Sequence, residues 1–105
     1  MIAFVKGHLA HKSPTQVIIE TGGIGYEINI SLNTFSAIDD QSEIQLHTIL
    51  LVKEDSHTLY GFWTLEEKQM FSYLISVSGV GPNTARVILS SLQPEEVSNL
   101  SLIHI

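Results

Sequence analysis

Hydrophobic and polar residues follow one another in short β-rich runs over the first 63 positions of this 105-residue chain, with turn residues between the runs. Runs separated by turns about every 8–12 residues are typical of a small β-barrel or sandwich. Gly22-Gly23 predicts a tight hairpin, because glycine reaches the positive φ values that close reversals need. Five strands are predicted: Ile2–Lys12, Gln16–Thr21, Gly25–Ser31, Glu43–Lys53 and His57–Trp63.

The hydrophobic period lengthens to that of a helix after Trp63. Thr64-Leu65-Glu66-Glu67 matches a capping box, in which the Thr64 hydroxyl accepts from the Glu67 amide and the Glu67 side chain reaches back to the Thr64 amide. This helix is predicted to end at Gly79. Pro82 suits the first turn of a second helix, which continues to about Leu92. Gln93-Pro94-Glu95-Glu96 predicts the start of a third.

These elements predict an α+β chain in two regions. Residues 1–63 form a five-stranded antiparallel barrel of the OB type, with a short helical connection over 32–38. Residues 64–105 form a helix-hairpin-helix unit, and the apolar face of the last helix has no partner within the sequence. We therefore expect the helical region to be one part of a larger helical domain.

Composition indicates a folded protein without a membrane span. Hydrophobic residues make up 44% of the chain, charged residues 15%, and the mean hydropathy is +0.22. The longest apolar run is the five residues Met1–Val5, whereas a membrane span needs about 20. The chain start lacks the features of a secretory signal, so the cytoplasm is the expected compartment. Without cysteine, disulfides and thiolate metal sites are excluded.

The net charge of −6 argues against binding nucleic acid by bulk electrostatics. Five Lys and Arg stand against eleven Asp and Glu. Proteins that hold nucleic acid through many ion pairs are usually basic, because each neutralised phosphate releases counterions.

The segment between the first two predicted helices favours anion binding. Two glycines flank Val80 in Val77-Ser78-Gly79-Val80-Gly81-Pro82. Such a loop leaves backbone amides uncovered at the start of the next helix, where the helix dipole also favours a phosphate. Amides grip a phosphate without lysines and without regard to base sequence. The alternative interpretation is a glycine that ends one helix and a proline that starts the next.

Five separated motifs together resemble one known family. They are Met1–Gly7, Thr21–Ile28, Val52–Asp55, Leu59–Phe62 and Phe71–Pro82. In their order and spacing these segments resemble RuvA, the bacterial subunit that recognises Holliday junctions. The resemblance implies an N-terminal OB-fold domain, a middle domain of two helix-hairpin-helix units, and a C-terminal domain that binds the motor ATPase RuvB. Only the first domain and the first hairpin unit match this sequence.

The resemblance also implies site residues. Glu54 and Asp55 match the acidic pair at the tip of a β-hairpin that forms the central pin of a tetramer. The phosphate-binding residues carry over as Ser78, Gly79, Val80 and Gly81, with Asn83 and Arg86 as side-chain candidates. The family commonly has lysine at the position of Asn83, so we expect weaker binding or a smaller salt dependence at each loop.

The expected function is that of a non-catalytic DNA-binding subunit. Its implied partners are four-way junction DNA, three further copies of the chain, RuvB and the resolvase RuvC. No cofactor or metal is expected, because His8 and His11 point to opposite faces of a strand. The aromatic residues are expected to fill the barrel more often than to stack bases: Phe4, Tyr26, Phe35, Tyr60, Phe62 and Trp63. The alternatives are a DNA-repair glycosylase, an OB-type module for single strands, and an inactive fragment.

Overall fold

A computed structural model describes residues 2–77, 79–93 and 95–96 of the chain. The strands are β1 (Phe4–Lys12), β2 (Gln16–Thr21), β3 (Ile24–Ile30), β4 (Glu43–Lys53) and β5 (Ser56–Phe62). The helices are α1 (Leu32–Ile38), α2 (Leu65–Val77) and α3 (Pro82–Ser90). All five predicted strands and the short helical connection are confirmed, with differences only at their ends. Most of the predicted third helix lies outside the described residues.

The five strands form a closed barrel in the order β1-β2-β3-β5-β4, which confirms the OB-like fold. One expectation is corrected, because the barrel is mixed and not wholly antiparallel. Strand β3 pairs with β5 in parallel, through Ile28 with Leu59 and Ile30 with Gly61. The reason is geometric: strand directions cannot alternate all the way around a closed ring with an odd number of strands.

The barrel interior is filled by aliphatic side chains from alternate positions along the strands, together with Ile38 of α1. Gly61 is part of this packing, because a Cβ there would come within 2.5 Å of Ile28 Cγ2 and 3.1 Å of Leu46 Cδ1. The interior cluster consists of Val5, Val17, Ile19, Ile28, Ile30, Ile38, Ile44, Leu46 and Leu59.

A second hydrophobic cluster joins the barrel to the helices. Tyr60 and Phe62 lie on the outer face of β5 and contact the Phe71 ring of α2, with ring centroids 5.1 and 5.0 Å apart. Met70, Ala85 and Leu89 complete the buried part of this cluster. Strand β5 is therefore buried on both faces between Leu59 and Phe62. These two aromatic side chains are core residues as expected, but they pack against the helices and not inside the barrel.

The start of α2 confirms one half of the predicted capping box. The Glu67 amide donates to the Thr64 hydroxyl at 3.2 Å. The second predicted hydrogen bond, from the Thr64 amide to the Glu67 carboxylate, is not formed. The carboxylate turns into the interior and accepts hydrogen bonds from Ser31 and Thr34, because these two buried hydroxyls need a partner that water cannot supply. Within the described residues, no helix is both long and apolar enough to cross a membrane.

Candidate nucleic-acid interface

Strands β4 and β5 extend beyond the barrel as a two-stranded ribbon. Strand β4 pairs with β1 between Glu43 and His47, and β5 pairs with β3 between Leu59 and Gly61. Residues 51–53 and 56–58 are paired with each other. The ribbon tip therefore stands clear of the barrel wall.

Glu54 and Asp55 form the two-residue turn at the tip of this ribbon. Lys53 pairs with Ser56 directly below the turn, and both acidic residues are exposed. The sequence placed these two carboxylates in the turn between the fourth and fifth strands, and the structure has them there. Two adjacent carboxylates at a protruding tip create a local negative potential that repels phosphate groups.

The loop between α2 and α3 holds its shape through the backbone. Gly79 has φ of +68°, a conformation that glycine adopts without steric cost. The Val80 amide donates back to the carbonyl of Leu74 at 3.4 Å. Gly81 caps α3 with extended backbone angles, φ −68° and ψ 157°, and Pro82 begins the helix. Ser78 was also predicted to bind phosphate, and it lies outside the described residues.

This loop presents an open surface at the amino end of α3. Apart from its neighbours in sequence, a Cβ added at Gly79 or Gly81 would meet no atom of the described residues within 4 Å. The first intrahelical bond runs from the Ala85 amide to the Gly81 carbonyl at 2.9 Å. Helix geometry therefore leaves the amides of Asn83 and Thr84 without intrahelical acceptors. Together with the helix dipole, these amides form a local site of positive potential that suits a phosphate oxygen.

The two side-chain candidates beside the loop both contact the barrel. The exposed Asn83 accepts a hydrogen bond from the Tyr60 hydroxyl at its Oδ1 atom, 3.3 Å away. Its side-chain NH₂ group remains a donor toward a ligand. The Arg86 guanidinium donates to the Thr15 carbonyl at 3.1 Å. Arg86 is thus attached to the β1–β2 turn, a contact that no local sequence pattern predicts.

A buried polar cluster of Glu67, Ser31 and Thr34 lies where the barrel meets the helices. Glu67 is 3% exposed, and its carboxylate accepts from Ser31 Oγ at 2.5 Å and from Thr34 Oγ1 at 2.8 Å. Burial raises the pKa of Glu67 above its ordinary value, while the two hydrogen bonds lower it in part. Local sequence pattern assigned Glu67 only a capping role and therefore missed this cluster.

The remaining candidates identified from the sequence do not converge on a site. Among the described residues, no group of three or more His, Asp or Glu side chains could hold a metal ion. Phe4, with 54% of its surface exposed, is the aromatic side chain that stands among the exposed large hydrophobic residues. Tyr26, Phe35 and Trp63 pack against the barrel interior.

The geometry defines a structural class: a five-stranded OB-like barrel with a projecting acidic ribbon, joined to a helical hairpin with an open glycine loop. The family model described as RuvA N terminal domain matches residues 1–61 of this chain. The chain belongs to the RuvA family.

Three relatives illustrate the similarity, and each is named Holliday junction branch migration complex subunit RuvA. The chain is 60% identical over 98 residues to the protein of Christiangramia forsetii, covering 93% of this chain and 51% of the relative. It is 54% identical over 97 residues to that of Cytophaga hutchinsonii, covering 92% and 49%. For Amoebophilus asiaticus the identity is 48% over 105 residues, covering 99% and 54%. The chain spans about half the length of these curated relatives.

Proposed function

We propose that this chain is a non-catalytic DNA-binding subunit that recognises four-way junctions by their shape. In this proposal the loop of Gly79, Val80 and Gly81, with Ser78 before it, binds backbone phosphates through amide groups. Asn83 adds a side-chain donor, and Arg86 flanks the same helix face. Glu54 and Asp55 form an acidic pin at the point where the strands exchange. The names of the relatives support this role.

The observation that carries the proposal is the open backbone at the start of α3. In the described part of the chain, only sequence neighbours lie within 4 Å of where a Cβ would stand at Gly79 or Gly81, and the amides of Asn83 and Thr84 have no intrahelical acceptor. A site of this kind binds phosphate with few positive side chains. It therefore explains how a chain with a net charge of −6 can bind DNA.

The pin requires more than one copy of the chain. One pair of carboxylates at an exposed tip has a modest effect, because water screens it. A tetramer would bring the carboxylates of all four copies close to one axis, where they would repel the phosphates of the crossing strands and help to part them. We propose that the chain forms such a tetramer.

The proposed complex includes a motor. ATP hydrolysis belongs to the partner RuvB, and the resolvase RuvC is a further partner of the assembled junction complex. Within this chain, residues 1–63 supply the barrel and the pin, and residues 64–105 supply the first helix-hairpin-helix unit. The whole assembly acts in the cytoplasm, in recombination and repair.

A competition gel shift tests the proposal. A labelled four-way junction is bound by the chain and challenged with duplex and single-stranded DNA of the same sequence, at low and moderate salt, while light scattering measures the molecular mass. A preference for the junction of about tenfold or more, with a fourfold mass, supports the proposal. A monomer without junction preference contradicts it.

Two substitutions at Gly81 locate the binding surface. Asp and Asn are both good helix N-caps, and the position has room for either side chain, so Gly81→Asp and Gly81→Asn should both preserve the stability of α3. Only Asp places a negative charge where the phosphate is proposed to bind. Junction affinity should fall on the order of tenfold or more in Gly81→Asp and stay near native in Gly81→Asn. An OB-type single-strand module would prefer single strands and would tolerate Gly81→Asp.

A further inference from the structure

Glu67 occupies a position that links three parts of the molecule. It lies in the first turn of α2, and its carboxylate bonds to Ser31 and Thr34 of the α1 region. The Thr34 hydroxyl in turn accepts from the amide of Trp63, in the connection between β5 and α2, at 3.1 Å. The Ser31 hydroxyl accepts from the Thr34 amide at 3.2 Å. Each buried hydroxyl thus donates once and accepts at least once.

The same short helix also contacts the end of α3. Asn33 donates from Nδ2 to the carbonyls of Leu89 and Leu92, both at 2.7 Å. The Leu32 amide donates to the Ser90 hydroxyl at 2.9 Å. Helix α1 therefore binds the beginning of α2 and the end of α3. These are the ends of the helical hairpin farthest from the glycine loop.

The other contacts between hairpin and barrel are less directional. Tyr60 and Phe62 meet Met70 and Phe71 in an apolar cluster, and hydrophobic contact is not directional. The bonds from Tyr60 to Asn83 and from Arg86 to Thr15 involve partly or fully exposed atoms, where water competes. Buried hydrogen bonds to a carboxylate are stronger and directional, so they favour one orientation over its neighbours.

A small tilt of α2 about the contact of Glu67 with Ser31 and Thr34 would displace the Gly79–Gly81 loop by a larger distance. Helix α2 has 13 residues, which corresponds to a length of about 20 Å. A tilt of about 5° at its start would displace the loop by about 2 Å, whereas hydrogen-bond lengths vary within only about 0.5 Å. A change of orientation at Glu67 would therefore move the loop relative to the Glu54–Asp55 tip by more than the hydrogen bonds there allow.

We propose that Glu67, acting through Ser31 and Thr34, is a positioning residue that fixes the helical hairpin on the barrel and so sets the position of the Gly79–Gly81 loop relative to the Glu54–Asp55 tip. Glu67 does not touch DNA in this proposal. The inference rests on the proposed function for its consequence in binding, while the orientation itself is measurable without DNA.

Spin labels test the orientation directly. The chain has no cysteine, so Ile24→Cys on the barrel and Val87→Cys on α3, both more than half exposed, accept two labels at defined sites. Labelled chain is diluted with unlabelled chain so that pulsed EPR reports distances within one molecule. The labelled native chain should give one narrow distance distribution. Glu67→Ala should broaden or shift it, and Glu67→Gln should restore it, because the amide keeps one acceptor and the native shape.

The matched control is Glu66→Ala, which removes an exposed carboxylate from the same helical turn. Its distance distribution should equal the native one. Thr34→Val removes one of the two donors at constant shape, and it serves if Glu67→Ala does not fold. A native distribution in folded Glu67→Ala, or in Thr34→Val if Glu67→Ala does not fold, overturns the proposal.

Junction binding then separates this inference from the proposed function. Glu67→Ala should weaken junction binding by about tenfold, and Glu66→Ala should leave it unchanged. If the native chain shows no junction preference, the proposed function fails while the label result still decides the role of Glu67. If the native chain binds and the labels shift without any loss of affinity in Glu67→Ala, the positioning role in binding is wrong.

Discussion

Glu67 is a buried carboxyl group that accepts hydrogen bonds from two hydroxyls, and its contribution to the free energy of unfolding depends on pH. Burial raises its folded-state pKa above the ordinary value of 4.5. At pH values between its unfolded-state pKa and its higher folded-state pKa, such a carboxyl group binds more protons in the folded state than in the unfolded state. Folding is therefore favoured below the unfolded pKa, and this part of the stability is lost as pH rises through the folded pKa.

This dependence can be measured by comparing the native chain with Glu67→Gln. The free energy of unfolding in urea, determined at a series of pH values from about 4 upward, should fall in the native chain relative to the variant as the carboxyl ionises. Glu66→Gln provides the baseline for loss of an exposed carboxylate in the same turn. A constant difference between native chain and Glu67→Gln across this range would contradict the assignment.

The two glycines of the loop differ in backbone conformation and should differ in their tolerance to alanine. Gly79 has φ of +68°, so Gly79→Ala should lower the free energy of unfolding by roughly 1–2 kcal/mol. Gly81 has φ of −68° and open space around it; alanine is a poorer N-cap there but lowers the entropy of the unfolded chain, and because these effects oppose each other Gly81→Ala should change stability by less than about 0.5 kcal/mol. Urea denaturation of both variants measures the difference. Equal costs would mean that the loop conformation is not the one described.

At the scale of elements, the strands were predictable because their patterns are local. Alternation and the Gly22-Gly23 turn predicted the hairpin of β2 and β3, and Glu54-Asp55 marked the turn of the ribbon. No local pattern predicted the parallel pairing of β3 with β5, although closure of five strands requires at least one parallel pair of neighbours. The local capping pattern likewise missed the partners of Glu67, which lie 33 and 36 residues away.

In the candidate site too, features that depend on neighbouring residues could be predicted, and contacts between residues distant in sequence could not. The shape of the glycine loop could be predicted, since it depends on the backbone conformations of Gly79 and Gly81 themselves. The contact of Arg86 could not, because its carbonyl partner, Thr15, is 71 residues away in sequence. Tyr60 was assigned to a core correctly, but the choice between barrel interior and helix interface depends on which face of β5 the helices cover.

The two carboxylates at the ribbon tip can be tested by replacing both with amides. The double substitution Glu54→Gln with Asp55→Asn should preserve the fold, because both side chains are exposed. Junction affinity should stay equal or rise a few-fold as repulsion is lost, while opening of the base pairs at the crossover should decrease. A fluorescent adenine analogue at the crossover reports this opening.

A control must separate the change in net charge from the loss of carboxylates at the ribbon tip. Glu20→Gln with Glu43→Gln removes two exposed carboxylates from the barrel wall and changes the net charge by the same amount. This control should leave base-pair opening at the native level. A similar decrease in both double variants would show that net charge matters and the ribbon tip does not.

For the whole molecule, cations are scarce and partly committed to internal contacts. The chain has five Lys and Arg residues. Lys12 donates to the Asp39 carbonyl, Lys68 to that of Ala3 at 3.4 Å, and Arg86 to that of Thr15. Junction binding should therefore depend weakly on salt, since each cation that neutralises a phosphate adds only about 0.9 to the slope of log K against log salt.

Asn83→Lys tests whether the scarcity of cations limits the salt dependence of junction binding. A lysine beside the loop should tighten junction binding and steepen the salt slope by about 0.9 for each loop engaged. Asn83→Gln is the control, because it changes the side chain without adding charge. The gel shift at several salt concentrations gives the slope. An unchanged slope in Asn83→Lys would place the phosphates away from the start of α3.

Strand β5 has a consequence for how the molecule unfolds. Its residues between Leu59 and Phe62 belong alternately to the barrel interior and to the cluster under the helices. Loss of the helices would expose Tyr60 and Phe62, at a cost of about 2–3 kcal/mol each. Barrel and hairpin are thus thermodynamically coupled through one strand, and the described parts of the chain should unfold in a single cooperative transition, even though two regions can be distinguished by sequence.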